Sequence, residues 1–192
     1  MQKLITPVFR VSFPQVFEPK ALADGQPKKY SITMLFDVAK IAKDTEESKR
    51  WKAMQEMVVA TAKEKWGTKI PQGLKNPFRD GMEKEQYQGY GKGIMFVSAS
   101  TTTRPGLVDK DLQKIIAPED FYAGCYARAS VNAYGWFYMG KSGVSFGLQN
   151  LQKIDDGEPF GGRTRPEDDF DQATGLAEDS PAGDDMAALF GK

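Results

Sequence analysis

A mainly β domain with one long helix, followed by an unstructured acidic tail, is the fold class this sequence predicts. Three observations carry it. Alternating apolar and polar residues recur through the first 154 positions, one stretch (45–66) switches to a helical period, and the charge changes sign near residue 154.

The first alternation is LITPVFRVSFPQVF (4–17). It sets Phe9, Val11, Phe13 and Phe17 on one side and Val8, Arg10 and Ser12 on the other, a strand with one buried face. ADGQPKK (23–29) has turn chemistry, and KYSITMLFDV (29–38) alternates again, so the two form a long hairpin. In TEESKRWKAMQEMVVATAKEKW (45–66), Trp51, Met54, Val58, Ala62 and Trp66 recur at spacings of three and four. Thr45 is placed to cap this helix and Gly67 to end it.

Residues 67–93 are dense in Gly, Pro and Asn and read as a long loop, of the kind that carries function. The loop is basic and aromatic: Lys69, Lys75, Phe78, Arg79, Lys84, Tyr87, Tyr90 and Lys92. GIMFVSASTTT (93–103) is a strand, and 104–121 a turn with one helical turn expected at 109–115. In YAGCYARASVNAYGWFY (122–138), Ala123, Cys125, Ala127, Ala129, Val131 and Ala133 form a small apolar face. The other face holds Tyr122, Tyr126, Arg128, Ser130, Asn132 and Tyr134. A turn at GKSG (140–143) leads into VSFGLQNLQKI (144–154). Five or six strands with a helix among them suit an OB-fold-like five-stranded antiparallel barrel. The domain organisation expected is a folded domain over 1–154 and a flexible acidic tail over 155–192.

Composition narrows the chemistry. The 192 residues are 40% hydrophobic, enough for one core. Cys125 is the only cysteine and there is no histidine. No intramolecular disulfide, His-based triad or Cys-rich zinc site can be built, so neither metal nor cofactor is expected. MQKLITPVFRVSFPQ lacks the apolar core of a signal peptide, and no run approaches the ~18 apolar residues of a membrane span. A protein of the cytoplasm with no membrane partner is expected.

The zero net charge conceals an asymmetry. Residues 1–153 hold 23 Lys+Arg and 15 Asp+Glu; residues 154–192 hold 3 and 11. A body of +8 joined to a tail of −8 fits a polyanionic partner for the body. Flat aromatics interleaved with cations fit single-stranded DNA, because bases stack on rings while cations follow phosphates. The residues expected on the DNA path are Arg10, Lys29, Arg79, Tyr87, Tyr90, Lys92, Tyr126, Arg128, Tyr134, Trp136 and Lys141. The alternative reading of the Tyr126 to Tyr134 face is a second core face, covered by the helix or by a dimer mate. GYGKG (89–93) lacks the phosphate-loop pattern and precedes a strand. Asp109, Asp111, Glu119 and Asp120 are the carboxylates that the alternative, a metal-dependent nuclease or recombination enzyme, would use, and no motif groups them. A β-rich virion or scaffold protein is a third class; the charge asymmetry weighs against it.

TPVFRVSFPQVFEPK, KYSITMLFD and GCYARASVNAYGWFYMGKSGVSFGLQNLQKIDDGEP, with the acidic tail ending near Phe190, resemble phage-encoded single-stranded-DNA-binding proteins of the OB-fold type. The resemblance spans nearly the whole chain. It implies a non-enzymatic protein that coats single-stranded DNA without sequence preference in phage replication, recombination and repair, in the cytoplasm of the infected bacterial host, often as a homodimer. It also implies a tail (Asp184, Asp185, Met186, Leu189 and Phe190) that recruits replication proteins such as a polymerase or a helicase/primase. A tethered acidic segment would compete for a basic groove at an effective concentration on the order of mM. Gly191 and Lys192 follow Phe190, a departure from tails that end on the aromatic residue.

Overall fold

In the computed structural model, residues 3–21 and 25–161 are described. Their strands are β1 (Leu4–Ile5), β2 (Phe9–Lys20), β3 (Lys29–Asp37), β4 (Arg79–Asp80), β5 (Ile94–Thr101), β6 (Gly106–Val108), β7 (Tyr126–Tyr138) and β8 (Lys141–Asp155). The helices are α1 (Val38–Lys43) and α2 (Thr45–Trp66), with short 3₁₀ turns at Gly81–Lys84 and Pro118–Asp120.

Five strands close a ring. β2 pairs with β3, β3 with β5, β5 with β8, β8 with β7, and β7 returns to β2. Four of these seams are antiparallel; β5 and β8 run parallel at Ala99–Phe146 and Ser100–Gly147. A closed ring leaves no open edge to the core sheet. The interior follows the alternation: Phe9 and Val11, then Ile32, Met34 and Phe36, then Val97 and Ala99, then Phe146 and Leu148, all buried. Cys125, just before β7, and the small residues Ala127, Ala129 and Val131 on it are buried as expected, leaving room for the opposing phenylalanines.

Strand β2 departs from simple alternation. Ser12 pairs with Thr33 but Gln15 with Ser31, so β2 carries one extra residue there. Pro14 has no N–H to give a ladder, and Phe13 adopts φ 45°. The bulge shifts the phase by one: Val16 is fully buried, while Phe13, expected in the core, turns out to 45% exposure.

The helix lies where its period placed it, with Met54, Met57 and Ala62 buried and Trp51 against Phe36 at 5.0 Å. Its cap is Asp44 rather than Thr45. The carboxylate oxygen Oδ1 accepts the N–H groups of Glu46 (2.9 Å) and Glu47 (3.0 Å). Asp37 caps α1 in the same way through the Lys40 N–H at 3.1 Å. The helical turn expected at 109–115 is absent. Asp109 Oδ1 instead accepts the backbone N–H groups of Asp111 and Gln113, a side-chain turn that competes with a helix.

The body also continues past residue 154. Beyond β8, residues 156–161 form a strap across the barrel. The Phe160 N–H bonds the Ala123 carbonyl at 2.8 Å, and the Gly161 N–H bonds Gln88 Oε1 at 3.1 Å. The tail residues Asp184, Asp185, Met186, Leu189 and Phe190 lie outside the described residues.

Candidate nucleic-acid interface

Register places one set of side chains on the outer face of the β2–β3–β5 sheet. Directly paired residues share a face, so Arg10 stands with Leu35 and Phe96, and Ser12 with Thr33 and Ser98. Tyr126 lies opposite Arg10 on the β7 side. Lys29 and Ser31 continue the same face along β3, about 20 Å from Lys29 to Leu35.

The expected long loop covers this face and is ordered on it. Arg79 pairs with Phe96 in the short β4–β5 ladder, its guanidinium carbon 4.7 Å from the ring centre. Glu83 holds Arg79 through two contacts, one of them from Nε at 3.1 Å. That hydrogen bond keeps the Glu83 carboxyl below its usual range. Tyr90 rests on Phe96 (5.4 Å) and donates to the Ser12 hydroxyl (3.2 Å). Half-burial raises its phenol pKa, and that hydrogen bond opposes the rise.

Out of this floor rises an aromatic group. Phe13 meets Tyr87 edge-on at 5.3 Å and Tyr90 at 6.4 Å; the tyrosines are 6.1 Å apart. Phe13 and Tyr87 are each 45% exposed. The Lys84 ammonium lies 5.6 Å from Phe13, 5.9 Å from Tyr90 and 5.3 Å from Phe96. It makes no ion pair among the described residues. Part-exposed rings around an unpaired cation can stack bases and meet a phosphate at one place.

Beside this group the strap meets Arg10. The Arg10 guanidinium donates to the carbonyls of Gly124 (3.1 Å) and Glu158 (2.7 Å). The rings of Phe160 (4.4 Å) and Tyr126 (5.5 Å) lie over it. Phe160 also fills the space above Gly89, where a Cβ would lie 2.3 Å from the ring; φ there is +86°. Only glycine fits both demands. Lys92 stands exposed on the adjacent turn. A cavity of about 370 Å³ opens past Arg10 and Tyr126, toward α1 and the start of α2.

The other expected site residues are elsewhere. Arg128 turns to α2 and bonds Glu47 Oε1 at 2.7 Å, both side chains largely buried. Glu47 Oε2 accepts the Val8 N–H. At Arg128 the face expected to bind DNA is therefore covered by the helix. Tyr134 lines a hollow with Met57, Thr61 and Lys65 of α2, about 26 Å along β7 from Tyr126. Trp136 donates Nε1–H to Ser145 Oγ at 2.9 Å. Lys141 is at the tip of the β7–β8 hairpin, next to the exposed Phe137, Tyr138 and Met139. Sequence reasoning missed Phe13, and Lys84 was only one cation among several; Pro14 was the available signal for the bulge. Among the described residues no group of three or more Asp, Glu or Cys could hold a metal ion, and no helix is long and apolar enough to cross a membrane.

The chain is similar in sequence and in fold to known proteins. The family model described as the single-stranded-DNA-binding protein of Enterobacter phage Enc34 matches residues 2–181. Protein p50 of Acyrthosiphon pisum secondary endosymbiont phage 1 is 33% identical over 181 residues, covering 88% of this chain and 92% of the relative. The Enc34 protein solved in complex with single-stranded DNA superposes with a TM-score of 0.70 at 22% identity, over 83% of this chain and 89% of that one. The single-stranded-DNA-binding protein gp2.5 of bacteriophage T7 gives 0.59 at 10% identity, over 90% and 99%. At these identities the solved structures establish the fold.

Proposed function

The chain belongs to the single-stranded-DNA-binding protein family of Enterobacter phage Enc34, and we propose that it coats single-stranded DNA along the outer β2–β3–β5 face. The observation that carries this is the Phe13–Tyr87–Tyr90 group around Lys84, built on that face by the bulge and the 81–93 segment. In this reading the three rings stack on bases. Arg10, Lys29, Arg79, Lys84 and Lys92 meet phosphates. Tyr126 backs Arg10, and Lys141 with the hairpin tip extends the path. Duplex DNA, its bases already stacked, gains little from such a platform. Arg128 and Tyr134, engaged with α2, support the barrel.

The protein acts without catalysis in phage DNA replication, recombination and repair, in the host cytoplasm. The acidic tail competes for the face, and Asp184, Asp185, Met186, Leu189 and Phe190 recruit replication proteins. The strap supports the competition. It shows that chain leaving β8 reaches Arg10 and can lay a phenyl ring on its guanidinium.

Fluorescence anisotropy of a labelled oligo-dT of about 30 nucleotides tests the reading, with duplex as competitor and two salt concentrations. Expected is tight single-strand binding that weakens steeply with salt and resists duplex. No binding at low salt would refute it. The label is placed on the DNA; Trp51, packed between Phe36 and Phe78, does not report on the face.

A further inference from the structure

The cavity past Tyr126 differs in chemistry from the stacking face. Its wall is apolar where Leu35, Ile41 and Ile94 line it, acidic where Asp37 and Asp44 line it, and basic at its edge where Arg10 and Lys40 line it. Both carboxylates are fixed, because each is a helix cap that uses Oδ1 for backbone N–H groups. Asp44 Oδ2 has no hydrogen bond among the described residues, and Asp37 Oδ2 has only the Lys40 ammonium at 3.8 Å. Glu47, also in the wall, is already committed to Val8 and Arg128. The cavity therefore offers flat apolar contact and two rigid acceptors with spare capacity.

Building on the proposed single-strand binding, we infer that this cavity takes one unstacked base of the bound strand and favours a base with an exocyclic amine. Charge complementarity selects the occupant. An amine donates to the carboxylates, and Arg10 and Lys40 at the edge are left for the phosphates on either side of the base. Cytosine presents its 4-amino group on the pairing edge. Uracil and thymine present a carbonyl oxygen at that position, lone pair against lone pair, and their one donor on this edge, N3–H, lies recessed between two carbonyls. At about 370 Å³ the cavity is near the small end of ligand pockets (~300–1,000 Å³). It is continuous with the stacking face, because Arg10 and Tyr126 line both. A base can leave the stack there while Arg10 and Lys40 hold the flanking phosphate. The rings remain tolerant of sequence, and the cavity adds a bias in base composition.

Oligo-dC and oligo-dU of equal length differ only on the pairing edge, in the exocyclic group and in the proton on N3, and so report on the edge that meets the carboxylates. Their dissociation constants for the full-length protein, measured by anisotropy at mildly alkaline pH, should differ about five- to tenfold in favour of dC, as for one charge-assisted base contact. In the double variant Asp37→Asn, Asp44→Asn the ratio should fall toward one. Asparagine caps helices as well as aspartate does, so the variant keeps the fold. A wild-type ratio near one or below overturns the inference, whatever the variant does. So does a variant that binds both oligomers more tightly with the ratio unchanged, since that reports lost repulsion alone. Failure to bind either oligomer removes the underlying function, and the cavity's role with it.

Discussion

Phe13→Ala removes the ring on which the stacking platform is centred and leaves the barrel intact. The ring is 45% exposed and its protein contacts are Tyr87 at 5.3 Å, Tyr90 at 6.4 Å and the Lys84 ammonium at 5.6 Å. Folding loses two edge-type aromatic contacts and the burial of half a ring, about 1–2 kcal/mol. Its φ of 45° strains alanine as it strains phenylalanine, so the backbone adds little to the difference. Binding loses the base that stacks on Phe13, about 1–3 kcal/mol, or roughly 5- to 150-fold in Kd. The two losses are read separately, by urea unfolding and by anisotropy with oligo-dT. Phe13→Tyr should restore affinity, because a phenol ring stacks as well. Leu112→Ala, at a side chain 71% exposed on the loop after β6, should leave Kd unchanged. A folded Phe13→Ala protein with Kd within about twofold of wild type would refute the stacking role.

Arg128→Ala should lower stability by about 1.5–3 kcal/mol, the usual cost of losing a hydrogen bond to a charged group, with oligo-dT affinity nearly unchanged. A large affinity loss at constant stability would return Arg128 to the DNA path. Burial pushes the Cys125 thiol up to about 11 from 9.0. The unfolded chain therefore releases its proton first as pH rises. The thiol's contribution is complete below pH 9.0 and is lost progressively toward pH 11, a total of about 2–3 kcal/mol. Stability curves of wild type and Cys125→Ala should converge or cross over that window, and parallel curves would contradict the burial. Truncation after Gly161 removes 3 Lys+Arg and 8 Asp+Glu and should tighten single-strand binding at low salt. Truncation after Asp155 also removes the Phe160 contact with Arg10 and should tighten it further. Equal affinities for all three lengths would refute competition by the tail.

Most of the barrel was legible because strands with one buried face must alternate. The interior residues of β3 and β7 and the period of α2 are set by which positions can leave water, and that is a local property of the chain. The charge asymmetry and the aromatic, basic loop likewise point to a polyanionic partner from the sequence. Tyr87, Tyr90 and Arg79 were readable as candidates for the same reason: rings and cations have no reason of their own to cluster in a loop.

Tertiary structure decided which candidates meet. Phe13 read as core because alternation alone cannot locate a bulge; the pairing of Ser12 with Thr33 and Gln15 with Ser31 moved it to the face. Arg128 read as DNA-facing because its strand gives it the same polarity as Tyr126. The helix that covers it is 81 residues away in sequence, at Glu47. The strap looked like tail because residues 156–161 have no period, yet backbone bonds to Ala123 and Gln88 hold it on the barrel. The sequence by itself determined the strands, the helix and the kind of partner, since these follow from local pattern and total charge. The bulge, the covering helix, the strap and the carboxylate-lined cavity depend on contacts between distant segments, which only the closed barrel brings together.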